Sequence, residues 1–303
     1  MDYRLKRRDF LRMMGGLGVG TFLSPVSLFA NTPKVFPDMV VSEGKDPFQI
    51  TAKAIEALGG MKRFVGRGDI VVVKPNIGWD RTPEQAANTN PEVLKAVVTM
   101  CFEAGAKKVK VFDRPVNDPR RCYVNSGIMD AGRSTGADIS YIDDRKFKDI
   151  SIKGEFLKSW PIYKDILEAD KIINVPIAKD HSISRLTMAM KNWMGVIGGN
   201  RGWFHSDIER SLADISMAIK PTLTVLDAYR ILVDNGPSGG DPEDVRMKET
   251  VVAGIDQVSV DSYGATFFGL TGEDLDYVKN ASSRGIGVMD LSRVRIKKVK
   301  TVA

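Results

Sequence analysis

The two histidines of this chain, His181 and His205, are the first candidates for proton transfer. His181 follows a predicted strand in a loop, and His205 stands just before the predicted start of a helix. The dipole at a helix start disfavours an imidazolium, so we expect a neutral His205 that could accept a proton or bind a metal. The histidines are 24 residues apart and match no familiar zinc spacing, so as weak metal candidates they would also need Asp180, Asp207 or Asp227. Ordinary hydrogen-bonded side chains are the alternative for both.

A lysine and an amide interrupt an apolar stretch in the second half of the chain. Lys191 and Asn192 lie within MAMKNWMG (residues 188–195), which is typical of a buried helix. A charge buried without a partner is strongly destabilising. We therefore expect Lys191 and Asn192 to face a cavity, a ligand or an acidic partner such as Asp227, and all three are candidate ligand-binding residues.

Three further polar residues stand at or after the ends of predicted strands. Lys74 ends an apolar run before Pro75, so it could bind an anion or, with a lowered pKa, take part in catalysis by moving a proton. Asn76 could orient a ligand carbonyl or hydroxyl, and Lys179 could bind negative charge. A lysine that reaches solvent and an asparagine in a turn are the alternatives.

Alternating strands and helices would bring these residues together. Apolar runs with β-branched residues predict strands over residues 69–74, 107–113, 137–143, 171–176, 222–227 and 249–256. Caps and helical periodicity predict helices over residues 46–59, 90–105, 119–133, 207–220, 257–269 and 271–285. The alternation predicts an α/β fold with a mostly parallel sheet and helices on both faces. Ligands bind outside the carboxyl ends of the strands in such sheets.

Local signals mark helix starts and loops. Ser206 followed by Glu209 predicts a capping box at the start of the helix over 207–220. Residues 235–240 (NGPSGG) could offer backbone N–H groups to an anion, although they lack the lysine of a P-loop. Segments without a pattern are expected to be loops: residues 75–90, 177–186, 196–205 and 233–248. The sequence has no GxGxxG after the first strand and no GxSxG elbow, which argues against a common dinucleotide fold and a serine hydrolase.

The two cysteines limit the redox chemistry. Cys101 recurs at helical spacing with apolar residues, so it is expected in the core, whereas Cys122 follows two arginines and could be exposed. Whether they pair is left open by their spacing. Iron–sulfur clusters generally need about four cysteines, so we expect no cluster held by this chain's own cysteines.

The charge of the chain is concentrated at its two ends. The formal net charge is +6, from 44 Lys and Arg and 38 Asp and Glu. Residues 1–30 hold five bases and two acids, and residues 291–303 hold five bases and no acid. Residues 31–290 hold the remaining 34 bases and 36 acids, a net charge of −2. The body of the chain therefore does not support a nucleic-acid partner.

Residues 1–30 have the order of an export signal. Arg7 and Arg8 are followed by Asp9-Phe10-Leu11, and residues 13–30 are uncharged and weakly apolar. The segment resembles a twin-arginine signal, which implies the twin-arginine translocation machinery as a partner and a periplasmic or otherwise exported location. With the signal removed no stable membrane span is expected, and a retained anchor is the alternative. The predicted organisation is a signal over 1–30, a linker over 31–45 and a single α/β domain over 46–303.

Several segments in order resemble the bacterial and archaeal domain-of-unknown-function family 362. They are VVVKPN (71–76), NVPIAKDH (174–181), MKNWMG (190–195), DNGPSGG (234–240) and AGIDQVSVD (253–261). The resemblance implies an α/β domain and no established reaction, so no residue roles transfer from it. Some relatives carry ferredoxin-like cysteine motifs, and this chain has none. Asp256 and Asp261 lie in these segments together with most of the candidate residues above.

The sequence thus predicts an exported protein that binds or transforms a small anionic ligand at the carboxyl ends of the strands. His181, His205 and Lys74 would be catalytic, and Asn76, Lys179, Lys191, Asn192 and Asp227 would bind the ligand. The alternative is a non-catalytic periplasmic accessory protein that binds a metal or an organic cofactor.

Overall fold

The computed structural model describes residues 35–301, which form a large mixed sheet covered by helices. The strands are β1 (Met39–Glu43), β2 (Ile70–Pro75), β3 (Lys108–Val111), β4 (Asp138–Ile139), β5 (Phe147–Ser151), β6 (Ser159–Tyr163), β7 (Lys171–Val175), β8 (Ile177–His181), β9 (Arg185–Thr187), β10 (Leu223–Leu232), β11 (Val245–Gly254) and β12 (Ile296–Lys300). The α-helices are α1 (Pro47–Ala57), α2 (Pro91–Ala104), α3 (Pro119–Asn125), α4 (Ile128–Ser134), α5 (Lys164–Leu167), α6 (Arg201–His205), α7 (Ile208–Ala218), α8 (Gln257–Ala265) and α9 (Asp276–Ser283). The export signal predicted over 1–30 lies outside the described residues.

Most neighbouring strands of the main sheet run parallel. The order is β12-β1-β11-β10-β7-β2-β3-β4, and the hairpin of β8 and β9 is attached through β10. Strands β10, β7, β2, β3 and β4 are parallel, whereas β11 is antiparallel to both of its neighbours. Strands β5 and β6 form a separate antiparallel pair. Among the described helices, none is long and apolar enough to cross a membrane.

The residues of β2 show why helices cover both faces of the sheet. Successive side chains of a strand point to opposite faces. Val72 belongs to a core that includes residues of α7, α8 and α9, whereas Val71 and Val73 belong to a second core with residues of α1 and α2. The predicted α/β class, with a mostly parallel sheet and helices on both faces, is confirmed.

Several predicted helix boundaries are confirmed by their caps. The Asp46 carboxylate accepts hydrogen bonds from the first backbone N–H groups of α1, and Pro47 occupies its first position. Asn90 caps α2 in the same way, and Gly105 ends it with φ = 104°, a left-handed conformation that favours glycine. The helix predicted over 119–133 is divided in two at Gly127, which has φ = 74°.

The predicted capping box at α7 is wrong. The carboxylate of Asp207, and not the hydroxyl of Ser206, accepts a hydrogen bond from the backbone N–H of Arg210. The Ser206 hydroxyl instead donates to the carbonyl of Trp203, one turn back in α6. Residue 206 closes a short preceding helix that the sequence pattern does not show.

The expectation of an exposed Cys122 is also wrong. Arg120 and Arg121 occupy the exposed face of α3, and the next position along the helix turns into the core. Cys101 is buried as predicted, and both thiols are free.

Two neighbouring strands at one side of the main sheet come from the ends of the described chain. Residues 39–43, within the segment predicted to be a linker, form β1 between β11 and β12. The basic segment near the carboxyl end forms β12, which is parallel to β1. Arg295 Nε lies 2.9 Å from Asp38 Oδ2, and Lys300 Nζ lies 2.9 Å from Glu43 Oε2. The lysines of this segment lie on the edge strand β12, where lysine discourages pairing with other chains.

The segment 177–186, predicted to be a loop, is largely the hairpin of β8 and β9. Lys179 is opposite Thr187 in the pairing, and His181 is opposite Arg185. His181 is therefore the last residue of a strand and does not lie in a loop. The strand escapes detection because Lys179 and Asp180 interrupt a run of only five residues.

Asp261 in α8 holds the start of the segment that carries Lys191. Its two carboxylate oxygens accept hydrogen bonds from Ala189 N at 2.6 Å and Met190 N at 3.0 Å. Burial raises the pKa of Asp261 to about 7, although the two N–H groups oppose the shift. A buried side chain on one element thus fixes the backbone of another segment, which leads into the 3₁₀ helix Lys191–Gly195.

Replacing Asp261 with alanine leaves two buried N–H groups without acceptors. We expect Asp261→Ala to lower the free energy of unfolding by about 2–5 kcal/mol, since each such group costs about 1–3 kcal/mol. Urea denaturation measures the change. Asp276→Ala is the control, because Asp276 is exposed and pairs with Lys279 on the surface, and it should change stability by less than about 1 kcal/mol. Equal losses in the two variants would contradict the anchoring role of Asp261.

Candidate functional site

A cavity of about 270 Å³ lies at the carboxyl ends of β2, β3 and β8. The 3₁₀ helix Lys191–Gly195, helix α6 and Pro237 from the loop after β10 complete its walls. We call this cavity the cleft. Its charged lining consists of the cations Lys74, Arg114, Lys179, Lys191 and Arg201 and the carboxylate of Asp113.

The cleft brings together most of the side chains that the sequence singled out. Its lining includes the predicted Lys74, Asn76, Lys179, His181, Lys191, Asn192 and His205. They come from separate parts of the chain and meet because the strand ends share one edge of the sheet.

Lys74 and Asp113 form a buried ion pair in the wall of the cleft. Lys74 Nζ lies 2.9 Å from Asp113 Oδ1, and both side chains are almost fully buried. Asp113 also accepts hydrogen bonds from Ile77 N at 2.5 Å and Arg114 N at 2.9 Å. Burial lowers the pKa of Lys74, and Asp113 opposes that shift. Lys74 therefore adds little net charge to the cleft, because its counter-ion is adjacent.

Asn192 joins this ion pair to the rest of the site. Its Oδ1 accepts hydrogen bonds from Lys74 Nζ at 2.8 Å and from Asn76 Nδ2 at 3.1 Å. Its Nδ2 donates to Asn174 Oδ1 at 2.8 Å and to the Lys74 carbonyl at 3.1 Å. Both ends of the amide are thus used within the protein. Asn192 positions its neighbours and has little capacity left for a ligand.

Lys179 is held by oxygen acceptors. Its Nζ donates to the Ala87 carbonyl at 2.6 Å and to Asn76 Oδ1 at 3.2 Å. Burial lowers the pKa of Lys179 to about 7; the nearby cations Lys191 and Lys74 also lower it, and Asp113 opposes the shift. Asn76 therefore links Lys179 to Asn192 and to the ion pair beyond it.

Lys191 has no carboxylate partner among the described residues. Its Nζ lies 3.1 Å from Met194 Sδ and 3.4 Å from His205 Nε2, and the residue is only 5% exposed. Burial lowers its pKa to about 7, and the charge of Arg201 adds to the shift. The cavity that was expected beside Lys191 is present, whereas Asp227 does not contact it.

Arg201 and Thr187 present unpaired polar atoms, and sequence reasoning missed both. Arg201 Nη2 donates to the Arg114 carbonyl at 2.8 Å, but within residues 35–301 its buried Nε has no partner. The Thr187 hydroxyl is buried without a partner in the same part of the chain. The sequence did hold one signal for Arg201. It lies four residues before His205, and residues at that spacing share one face of a helix, so the spacing could have predicted that both face the cleft.

The two histidines present opposite hydrogen-bonding groups to the cleft. His181 Nδ1 accepts from Ile183 N at 3.0 Å and Ser184 N at 3.3 Å, so a neutral His181 carries its proton on Nε2. His205 Nδ1 lies 2.7 Å from the Arg201 carbonyl, which can only accept, so Nδ1 is protonated and Nε2 is a free acceptor. The two rings are stacked, with centroids 6.4 Å apart.

Both imidazoles are neutral because they are buried near cations. Burial lowers the pKa of His181 to about 3, and Lys191 and Lys179 add to the shift. Burial also lowers the pKa of His205, together with the charges of Lys191 and Arg201. The expected neutral state of His205 agrees with this direction, but the expected cause is wrong. His205 is the last residue of α6, so it lies at the carboxyl end of one helix and outside the first turn of α7, which begins at Ile208.

The carboxylates proposed as partners for a metal are engaged elsewhere. Asp227 accepts from Asn90 N at 2.7 Å and from Tyr229 N at 3.0 Å, so it anchors the backbone and does not line the cleft. Asp207 caps α7, and Asp180 Oδ2 accepts from Gly236 N at 3.0 Å. Within residues 35–301, no three His, Cys, Asp or Glu side chains are grouped as metal ligands.

Sequence comparison identifies the family. The sequence model for the domain of unknown function DUF362 matches residues 71–266, which include every cleft residue named above. The chain belongs to the DUF362 family. Asp256 and Asp261, which the family segments include, serve as backbone anchors: Asp256 caps α8 and also accepts from Val288 N at 2.6 Å.

Comparison with individual proteins gives more distant similarities. A thylakoid-associated protein of Synechocystis sp., sll1697, is 30% identical over 201 residues, which are 64% of this chain and 62% of that protein. The matched region is thus less than two thirds of the relative.

Two solved structures align with part of this DUF362 chain. The lactate racemase apoprotein from Thermoanaerobacterium thermosaccharolyticum is 11% identical, with a TM-score of 0.44 over 75% of this chain and 56% of the other. A Thermotoga maritima protein is 13% identical, with a TM-score of 0.41 over 65% of this chain and 54% of the other. The fold class follows from the strand order of the chain itself.

Gly195 lets the backbone approach the ion pair of this DUF362 site. A Cβ at position 195 would overlap the Asp113 carboxylate and lie 2.7 Å from Lys74 Nζ. We expect Gly195→Ala to lower the free energy of unfolding by about 1–3 kcal/mol or more, because the close-packed pair must separate. Urea denaturation measures the loss. The control is Gly66→Ala, whose Cβ would have its nearest neighbour at 3.4 Å, and an equal effect of both variants would contradict this role of Gly195.

Proposed function

We propose that this DUF362 domain binds a small anion in the cleft. One observation carries the proposal: the described residues of the lining include five cationic side chains but only one carboxylate. Lys191 is the decisive member, because it is buried and has no carboxylate beside it among those residues. A buried cation without a counter-ion is destabilising, and the charge of a bound anion would offset that cost.

The unpaired groups indicate the chemistry of the anion. The buried Nε of Arg201 has no partner in the part of the chain that the structure describes, so the guanidinium could donate to a carboxylate, phosphate or sulfate oxygen. The Thr187 hydroxyl and the Nε2–H of His181 are neutral donors for a further oxygen. A cavity of about 270 Å³ lies just below the usual range for drug-sized ligands, so a small organic or inorganic anion fits best.

The histidines favour chemistry over binding alone. His205 Nε2 is an acceptor within the cleft, and His181 Nε2–H is a donor to an oxygen that gains negative charge. An acceptor and a donor of fixed tautomer in one cavity suit general base catalysis on the bound anion.

Lys191 provides a direct test of anion binding. We expect Lys191→Met to lower the affinity for inorganic sulfate and phosphate at about pH 6.5 by about tenfold or more, since a charge-assisted hydrogen bond is lost. Isothermal titration calorimetry measures the affinity. The matched control, Lys62→Met, changes an exposed lysine and should bind like the wild type. No binding of either anion by the wild-type protein would overturn the proposed function.

The same variant tests the unfavourable burial of the Lys191 charge. The folded-state pKa of about 7 lies below the ordinary 10.5, so the wild-type protein loses stability as the pH falls from 10.5 towards 7. Lys191→Met lacks this dependence. We therefore expect the free energy of unfolding of Lys191→Met, relative to that of the wild type, to rise as the pH is lowered from about 9 to about 7. Urea denaturation at each pH measures this difference. A difference that does not change with pH would contradict the lowered pKa of Lys191.

We also propose that residues 1–30 direct export through the twin-arginine route. The support is the Arg7-Arg8 pair, the following Phe10 and Leu11, and the uncharged stretch to Ala30. In the full chain, replacing both arginines with lysine should retain the protein in the cytoplasm, as measured by cell fractionation. Lys6→Arg is the control. Unchanged export of the doubly substituted chain would exclude this route.

A further inference from the structure

Building on the proposed anion binding, we infer that the ligand class is a 2-oxo acid and that Lys191 forms an imine with its carbonyl carbon. Within residues 35–301, the cleft contains an amine without an oxygen partner, a proton acceptor beside it and a guanidinium with an unpaired N–H. Each of these three features has its counterpart in an oxo acid, which offers an electrophilic carbon to the amine, a carbonyl oxygen that receives the protons moved by the acceptor, and a carboxylate to the guanidinium.

The three lysines of the cleft differ in what holds their amines. Lys74 Nζ has Asp113 at 2.9 Å and the Asn192 amide oxygen at 2.8 Å. Lys179 Nζ donates to two oxygens, at 2.6 Å and 3.2 Å. Among the described residues, Lys191 Nζ has only a thioether sulfur at 3.1 Å and an imidazole nitrogen at 3.4 Å as partners. Burial lowers the pKa of Lys179 to about 7 as well, but its amine is held by two oxygens. Lys191 is the amine of this set that has no oxygen acceptor among the described residues, so its lone pair can face a ligand.

His205 supplies the proton acceptor that imine formation needs. Nδ1 keeps the proton of the neutral ring, because it donates a hydrogen bond to the Arg201 carbonyl. Nε2 is therefore unprotonated, and it lies 3.4 Å from Lys191 Nζ. The lowered pKa of Lys191, about 7, leaves a large fraction of the amine neutral near neutral pH. Lys191 is buried away from water, and burial favours its neutral amine over the ammonium.

The remaining donors suit the oxygens of an oxo acid. Arg201 begins the short helix that His205 ends, so the guanidinium and the imidazole are carried by one rigid turn. The free Nε of Arg201 is the donor for the carboxylate, and the Thr187 hydroxyl and His181 Nε2–H are the donors for the carbonyl oxygen. An aliphatic anion without a carbonyl would leave Lys191 without a partner for its lone pair.

The chemical step balances without any oxidant or reductant. The Lys191 nitrogen attacks the carbonyl carbon, forming the C–N bond while the C=O π electrons move to oxygen. His205 Nε2 takes a proton from the nitrogen and passes it to that oxygen, which gives a carbinolamine. A second proton follows the same path as the C–O bond breaks. The products are an imine, with a C=N bond between the Lys191 nitrogen and the former carbonyl carbon, and one water molecule. His205 returns to its original neutral form.

Borohydride trapping of the full chain tests the inference. Pyruvate is added to the wild-type protein with sodium cyanoborohydride, and intact mass followed by peptide mapping locates the adduct. We expect one reduced adduct, on Lys191, and none when propionate, which lacks the carbonyl, replaces pyruvate. The adduct should be absent in Lys191→Arg and retained in Lys62→Arg, in which the changed lysine is exposed. His205→Gln should slow the trapping about a hundredfold.

The wild-type result decides even if a variant fails to fold. The imine inference is overturned if the adduct maps to other lysines. It is also overturned if calorimetry shows that pyruvate binds but no adduct forms. Either result leaves the proposed anion binding intact. Absence of binding of pyruvate, sulfate and phosphate overturns the proposed anion function itself. Near-ultraviolet circular dichroism shows whether Lys191→Arg keeps the native fold. If it does, the missing adduct is due to the loss of the amine and not to unfolding.

Discussion

The ion pair between Lys74 and Asp113 determines the geometry of the cleft. It joins the end of β2 to the residues after β3, and Asn192 ties it to the 3₁₀ helix Lys191–Gly195. A buried ion pair is tolerated only when hydrogen bonds satisfy its remaining atoms, and here backbone N–H groups and one amide do so. The absence of a side chain at Gly195 lets that helix lie directly against the pair. Three segments distant in sequence are thus held within one hydrogen-bonded network.

Beyond this network the charges of the cleft are unbalanced. Asp113 is engaged by Lys74, so Lys191 and Arg201 face the cavity with no carboxylate of their own among the described residues of its lining. Such an arrangement is unfavourable in the free protein and becomes favourable when an anion is bound. Burial also shifts the lysine amines and the imidazoles towards their neutral forms. Under the proposed anion binding, the groups that would hold the ligand are therefore also groups that could react with it.

The sequence predicted the fold class and the convergence of polar residues better than the parts played by individual side chains. Strong local signals, such as the apolar run of β2 and the caps of α1 and α2, survive in the structure because packing reinforces them. The hairpin of β8 and β9 and the strands β1 and β12 are short and contain charged residues, so their pairing depends on neighbours that no local pattern shows. Asp227 proved to be a backbone anchor, since the N–H groups that it binds come from tertiary contacts as well as from its own strand.

By itself the sequence determined that an α/β sheet would gather lysines, histidines and amides at its carboxyl edge, because strand periodicity and the position of ligands in such sheets are local and general properties. Only the tertiary structure decided which lysine lacks a counter-ion, which nitrogen of each histidine is protonated, and that Arg201 belongs to the site. Those properties depend on distances of about 3 Å between atoms of separate segments, and burial then sets the protonation of each group.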